Sequence, residues 1–222
     1  MMLIVKKKGE NRINGLLKAL LIFIGVFIIQ AATYWGTQFL VKKPHMLGSR
    51  LDAKIPFIPI FIFPYISWYF IMCIFPFILY LFSLQTYALY TMSLLTILIA
   101  SAIVYLVYPT TFHRPDPEGT SFSVKTVKLI YANDRKILSC MPSLHCSLSM
   151  LFIIAAFTAE NLPLTVKLPV IILSVLIILS TVLVKQHVLI DVITALPLAV
   201  ISWYIAMAIS ADKFLSLFNF IQ

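Results

Sequence analysis

Apolar residues along the chain fall into six long blocks that are almost free of charged side chains. The blocks cover residues 16–40, 58–82, 88–108, 143–159, 166–184 and 190–207. A helix needs roughly 20 apolar residues to cross the hydrocarbon core of a bilayer, where backbone hydrogen bonds must be satisfied internally. The pattern therefore predicts an all-α fold, a polytopic bundle of six transmembrane helices.

Composition agrees with this prediction. The chain of 222 residues is 61% hydrophobic and 11% charged, whereas soluble domains are about 45–50% apolar and 25% charged. Six spans leave no room for a separate soluble domain, so we expect residues 1–222 to form one membrane-embedded domain. The first block is longer than the roughly 7–15 apolar residues of a signal peptide, so we expect a retained span.

The net charge of +9 is better explained by anionic lipid head groups at the ends of the spans than by nucleic acid. We expect membrane lipids as partners, no nucleic acid, and a multi-pass location in the cell membrane. Basic residues leave the orientation open. Their overall count favours termini outside the cytoplasm, whereas the first span, which often dominates orientation, favours termini inside.

Ionisable residues inside a membrane cost free energy and tend to be functional. With six spans, three polar clusters fall on the same side of the membrane, where they could converge into one pocket. The clusters are Arg114 with Pro115, Ser143 with His145, and Lys185 with His187 and Asp191.

The second cluster lies in the run Pro142-Ser143-Leu144-His145. Proline is favoured in the first turn of a helix and serine is a good N-cap. A helix N-terminus with free N–H groups suits a phosphate. Plain helix capping, with His145 facing other helices, explains the same residues equally well.

Each of the other two clusters contains a basic residue, and one of them also contains a possible catalytic pair. His187 and Asp191 are four residues apart and share a helix face, so the carboxylate could hold the imidazole in one tautomer. Arg114 suits phosphate because a guanidinium offers several donors. The alternatives are a polar pair at the interface, with Lys185 snorkelling and Arg114 meeting lipid head groups.

Together these motifs resemble those of the type 2 phosphatidic acid phosphatase superfamily over about residues 105–200. The order is Arg-Pro, then Pro-Ser-x-His, then His-x-x-x-Asp. The chain departs from the family pattern in three places, with Val107 for lysine, Leu144 for glycine and Thr181 for arginine. In these departures the chain resembles a branch of the superfamily that includes bacterial lipid phosphatases and the sphingolipid head-group synthases, such as inositol phosphorylceramide synthase-like proteins.

The resemblance implies a role for each residue. His187 would attack phosphorus to give a phosphohistidine, Asp191 would orient His187, and His145 would act as general acid and then general base. The phosphate oxygens would be held by Arg114, Ser143 and Lys185, with Lys185 replacing the missing motif arginine. The scheme requires no metal and no cofactor.

We therefore expect a metal-independent phosphatase that hydrolyses a lipid phosphate. Phosphatidate, phosphatidylglycerophosphate and polyprenyl diphosphate fit equally, and neither the lipid nor the oligomeric state follows from the residues. A lipid head-group phosphotransferase would use the same residues. A non-catalytic transporter or lipid-binding protein is a third interpretation. A zinc site is a further alternative, and its ligands would be Cys140, His145, Cys146 and His187.

The stretch between the third and fourth blocks contains one further predicted element. Residues 121–132 place apolar side chains at 122, 127 and 130 with Lys125 and Lys128 between them. That spacing suits a short helix lying in the membrane interface. Such a helix could cover the pocket, or be purely structural.

Overall fold

The computed structural model describes residues 2–41, 43–134, 137–138 and 140–220, with side chains from residue 13 onward. A π-helical turn covers Ala32–Gly36 and a 3₁₀ turn covers Pro59–Phe61. Strand β1 (His45–Leu47) pairs in parallel with β2 (Thr110–Phe112). The helices are α1 (Met2–Ala31), α2 (Thr37–Leu40), α3 (Arg50–Lys54), α4 (Ile62–Phe82), α5 (Leu84–Val107), α6 (Phe122–Asn133), α7 (Leu144–Thr158), α8 (Leu164–Leu183), α9 (Leu189–Ile209) and α10 (Ala211–Leu217).

Five of the six apolar blocks form helices that are long and apolar enough to cross a membrane. These are Ile13–Leu40, Pro59–Phe82, Leu84–Val107, Leu164–Leu183 and Leu189–Ile209. The remaining block forms α7, which has only 15 residues. At 1.5 Å per residue α7 is about 22 Å long, shorter than the roughly 30 Å hydrocarbon core. The helical fold is confirmed, and the count of six spans stays a prediction.

Helix α7 lies at the centre of the bundle. It packs against α5, α8 and α9, and Leu148, Leu151, Phe152 and Ala155 are fully buried. A helix that is apolar on all sides belongs in an interior. The central helix carries the Pro-Ser-Leu-His motif at its N-terminal end, so that motif is held by the most buried part of the fold.

The outer helices expose large apolar side chains. On α1, the exposed fraction is 53% at Leu17, 60% at Leu21 and 62% at Ile28. Contiguous apolar surfaces of this extent are rare on soluble monomers and mark a surface that another apolar phase covers. Lipid-facing outer helices around a buried α7 explain the pattern.

Helix α6 confirms the short helix predicted between the third and fourth blocks. Ser121 caps it by accepting a hydrogen bond from the Val124 N–H at 3.3 Å, and Val124 and Val127 are buried. Phe122, which the spacing placed on the apolar face, is 75% exposed because the helix presents position 124 instead. The Tyr131 hydroxyl donates to the Val184 carbonyl at 2.7 Å, which ties α6 to the end of α8.

Candidate active site

His187 and Asp191 form a hydrogen-bonded pair at the turn between α8 and α9. Asp191 is fully buried, and its Oδ2 lies 3.0 Å from His187 Nδ1. The same oxygen accepts the Val188 N–H at 3.2 Å. The pair forms because α9 begins at Leu189, so Asp191 lies in its first turn and reaches back to the residues before the helix. Nδ1 is thereby engaged with Asp191, so Nε2 is the ring nitrogen that His187 can present to a ligand.

The Pro-Ser-Leu-His motif is joined directly to this pair. The Ser143 N–H donates to the Asp191 carbonyl at 3.2 Å, and the Ser143 hydroxyl caps α7 by accepting from the Cys146 N–H at 3.3 Å. The Tyr105 hydroxyl donates to the Pro142 carbonyl at 2.7 Å. The starts of α7 and α9 are therefore fixed next to each other.

His145 lies in an aromatic sandwich beside His187. Its ring centroid is 4.4 Å from that of Tyr65 and 4.2 Å from that of Trp68, both on α4. The ring centroids of His145 and His187 are 6.1 Å apart. Nε2 of His145 is buried and has no hydrogen-bond partner within the part of the chain that the structure describes. A buried ring nitrogen without a hydrogen-bond partner suits a site that a ligand completes.

Both histidines line a cavity of about 660 Å³. Its walls come from the C-terminal part of α1 and α2, from α4, and from the end of α6. Most of the lining is aromatic or aliphatic, and the polar members besides the histidines are Gln30, Gln38, Asn133, Asp134 and the tyrosines Tyr34, Tyr65, Tyr69 and Tyr105. A largely apolar cavity with a few convergent polar groups is typical of a small-molecule or lipid site.

Arg114 does not line this cavity. Its Nη2 donates to Asp134 Oδ2 at 2.9 Å and to Gln186 Oε1 at 2.7 Å. The guanidinium also lies 4.3 Å from the Tyr131 ring centroid. The Arg114 side chain is only 5% exposed, against 25% for Asp134. Arg114 is therefore held behind Asp134, and Asp134 is the group that reaches the cavity.

Lys185 is also directed away from the histidines. Its Nζ donates to the carbonyls of Asp52 and Ile55 at 2.9 and 2.5 Å. Asp52 in turn accepts the Leu189 N–H at 2.7 Å, so α3 and the residues after it are fastened to the start of α9. Burial lowers the pKa of Lys185, and the Asp52 carboxylate partly opposes that shift.

The Asp52 carboxyl responds to the same contacts. Partial burial by itself raises its pKa, but hydrogen bonds from Ser49 and from the Leu189 N–H, with the charge of Lys185 nearby, outweigh burial. The net result is a pKa below the ordinary value of an aspartate.

The structure thus brings together three of the six predicted site residues, His145, His187 and Asp191. Ser143 is joined to this group through the Asp191 carbonyl. The two predicted cations, Arg114 and Lys185, each have other partners. Thr181, at the motif position of arginine, is buried and bonds to the Ile178 carbonyl and to Cys146 Sγ, and it does not line the cavity.

Sequence reasoning missed the residues that surround the histidines. Asp134 is one of only eight acidic residues in a chain of net charge +9, and that scarcity could have marked it. Tyr65 and Trp68 gave no signal, because an aromatic residue within a span looks like any other apolar one. For the zinc reading, the described residues contain no group of three His, Cys, Asp or Glu side chains that could hold a metal ion.

Membrane-length helices around a buried histidine–carboxylate pair define a multi-pass membrane protein with a candidate catalytic centre at one end of its bundle. The chain matches the PAP2 superfamily over residues 90–215, which is more than half of its length, and it belongs to that superfamily. The match contains all three motifs and confirms the resemblance seen in the sequence. Members of the superfamily are phosphatases. No curated protein and no solved structure matches the chain.

Proposed function

We propose that this protein is an integral membrane lipid phosphatase that works through a phosphohistidine on His187. The observation that carries the proposal is that His187 and His145 line one large, mostly apolar cavity while Asp191 holds His187 from behind. Substrates with a phosphate on an apolar tail fit such a cavity. Phosphatidate, phosphatidylglycerophosphate and polyprenyl diphosphate all have this form, and we propose the cell membrane as the site of action.

In the first step, Nε2 of His187 attacks phosphorus. The new P–N bond forms as the P–O bond to the lipid breaks, and His145 donates a proton to the departing alkoxide. Asp191 keeps the proton of His187 on Nδ1 and stabilises the positive charge that develops on the ring. The hydrogen bond between His187 and Asp191 supports this assignment of roles.

In the second step, His145 takes a proton from water, which attacks phosphorus and breaks the P–N bond. The products are inorganic phosphate and the original form of His187. The stacking of His145 between Tyr65 and Trp68 supports this role, because a fixed ring can serve both proton transfers without reorganisation.

The phosphate oxygens would meet the N–H groups at the start of α7, beside Ser143, where a helix N-terminus stabilises negative charge. We include Arg114 as the cation of the phosphate site, reached once the carboxylate of Asp134 moves aside. Lys185 is closer to a structural role, because its amine already makes two hydrogen bonds to backbone carbonyls.

The experiment is release of phosphate by the purified protein in detergent, with EDTA present, from phosphatidate, phosphatidylglycerophosphate and undecaprenyl diphosphate. His187→Ala is the control. Release that survives EDTA and disappears in the variant supports the proposal and ranks the substrates. If no lipid releases phosphate, hydrolysis is refuted for this panel, and addition of a lipid alcohol acceptor then tests the phosphotransferase reading.

A further inference from the structure

The position of Asp134 raises a question about how phosphate reaches Arg114. Asp134 lies just after α6 and lines the cavity together with both histidines. Arg114 lies behind it, almost fully buried, and donates to its carboxylate and to its backbone carbonyl at 2.9 and 3.3 Å. A ligand in the cavity therefore meets the carboxylate before it can meet the guanidinium.

Both carboxylate oxygens of Asp134 are held. Oδ2 accepts from Arg114, and Oδ1 accepts from the Tyr34 hydroxyl at 2.8 Å. Tyr34 lies in the π-helical turn after α1 and also lines the cavity. The hydrogen bond from Tyr34 therefore joins the turn after α1 to the end of α6, and the hydrogen bond from Arg114 joins the segment after β2 to the same carboxylate.

The charge of the cavity wall points in the same direction. Among the described residues that line the cavity, and leaving the histidines aside, Asp134 is the only one that carries a full charge at neutral pH. A phosphate dianion in this cavity shares it with this negative charge, while Arg114, the described cation in contact with Asp134, is already paired. Like charges in a cavity from which water is excluded repel each other strongly.

We infer that Asp134 sets the affinity and selectivity of the phosphate site by competing with the substrate phosphate for Arg114. Productive binding exchanges one anion for another: the phosphate takes over the guanidinium, and the carboxylate turns away from Arg114. The inference rests on the proposed function only in placing a phosphate next to Arg114. Asp134 is then a positioning residue that acts through Arg114, and it weakens the binding of any phosphate that cannot displace its carboxylate.

The test is direct binding of orthovanadate, a tetrahedral phosphate analogue, to the purified full chain in detergent, measured by titration calorimetry. Asp134→Asn keeps the size and an acceptor oxygen for Arg114 but removes the competing charge. We expect Asp134→Asn to bind orthovanadate at least tenfold more tightly than the unchanged protein. The double variant Arg114→Ala with Asp134→Asn should lose that gain, because the cation that the phosphate would use is absent.

Two further variants make the test specific. Asp116→Asn removes an exposed carboxylate two residues from Arg114 and should leave the affinity unchanged. Tyr34→Phe releases one oxygen of Asp134 without touching Arg114, and should tighten binding by a smaller factor. It also serves as the test if Asp134→Asn fails to fold.

Unchanged, weaker or undetectable binding of orthovanadate by folded Asp134→Asn would overturn the inference, since a carboxylate that merely supports Arg114 gives that result. The same holds if the gain persists without Arg114. Calorimetry needs no turnover, so the two proposals fail separately. If the protein hydrolyses no lipid phosphate but Asp134→Asn still binds orthovanadate more tightly, the proposed phosphatase activity is refuted and the competition for Arg114 is retained.

Discussion

Replacement of Asp191 by asparagine tests the pair that the mechanism needs most. The carboxylate accepts from His187 Nδ1 at 3.0 Å and from the Val188 N–H at 3.2 Å. Both contacts are made by the single oxygen Oδ2. If the amide oxygen of asparagine takes its place, both hydrogen bonds remain and the fold should survive, but the negative charge that stabilises the developing imidazolium is lost. If the NH₂ group takes its place, it donates to Nδ1 of His187 and moves the ring proton to Nε2, which removes the lone pair that attacks phosphorus, and the Val188 N–H loses its acceptor.

The expected magnitude follows from the loss of the carboxylate charge at His187, in either orientation of the amide. In a Ser-His-Asp triad the same carboxylate-to-amide change lowers kcat by about 10⁴-fold. Because Asp191 is fully buried, we expect a loss of about 10³- to 10⁴-fold in kcat. At 1.36 kcal/mol per factor of ten, this is about 4–5.5 kcal/mol of lost transition-state stabilisation.

The assay is phosphate release from the best lipid substrate in detergent, with thermal unfolding measured on the same preparations. Asp52→Asn is the matched control, because Asp52 accepts an N–H at the same start of α9 but contacts no histidine. We expect Asp52→Asn to keep kcat within about threefold while Asp191→Asn loses it. Near-normal kcat in folded Asp191→Asn, or equal losses in both variants, would refute the role given to the pair.

The other predictions concern the nucleophile, the turn between α8 and α9, and pH. His187→Ala should abolish measurable turnover because it removes the nucleophile, and it should lower Tm because the buried Asp191 carboxylate loses its hydrogen bond from the ring; turnover near the normal rate in the folded variant would exclude His187 as the nucleophile. Lys185→Ala should lower stability by about 1.5–3 kcal/mol, since it removes charged hydrogen bonds to two carbonyls, and should raise KM less than about threefold; a tenfold higher KM with unchanged Tm would instead make Lys185 a phosphate ligand. Because the folded pKa of Asp52 is lowered, its stabilising effect is present above its unfolded pKa and is lost as pH falls through its folded pKa. The difference in Tm between the unchanged protein and Asp52→Asn should therefore shrink below about pH 4, and a difference that stays constant to pH 3 would contradict the shift.

The helices and the central pair were predictable because they depend on local pattern. Apolar runs of span length identify α4, α5, α8 and α9 whatever their neighbours are. The contact between His187 and Asp191 was predicted from their separation of four residues. The expected shared helix face was wrong, because α9 begins at Leu189 and His187 lies before it. Leu144–Thr158 was predicted as a span by its composition, but its shortness and its central position depend on what packs around it.

The environment of each charged group was not predictable, because it depends on contacts between distant segments. Arg114 could have faced a phosphate or an acid, and only the fold brings Asp134 to it. Lys185 is a positively charged residue two positions before His187 in the motif, but its amine donates hydrogen bonds to backbone carbonyls in and just after α3. The aromatic sandwich around His145 depends on which face α4 presents to α7, and a span that is apolar on all sides does not encode that face.

The central claim is that His187 carries the phosphoryl group, and trapping of the intermediate tests it most directly. The purified protein would be mixed with a lipid substrate labelled with ³²P in its terminal phosphate, quenched in strong base during turnover, and digested to locate the label. The account predicts a label that is stable in base, labile in acid, located on His187 and absent from His187→Ala. Steady hydrolysis without any labelled protein, or a label on another residue, would contradict it.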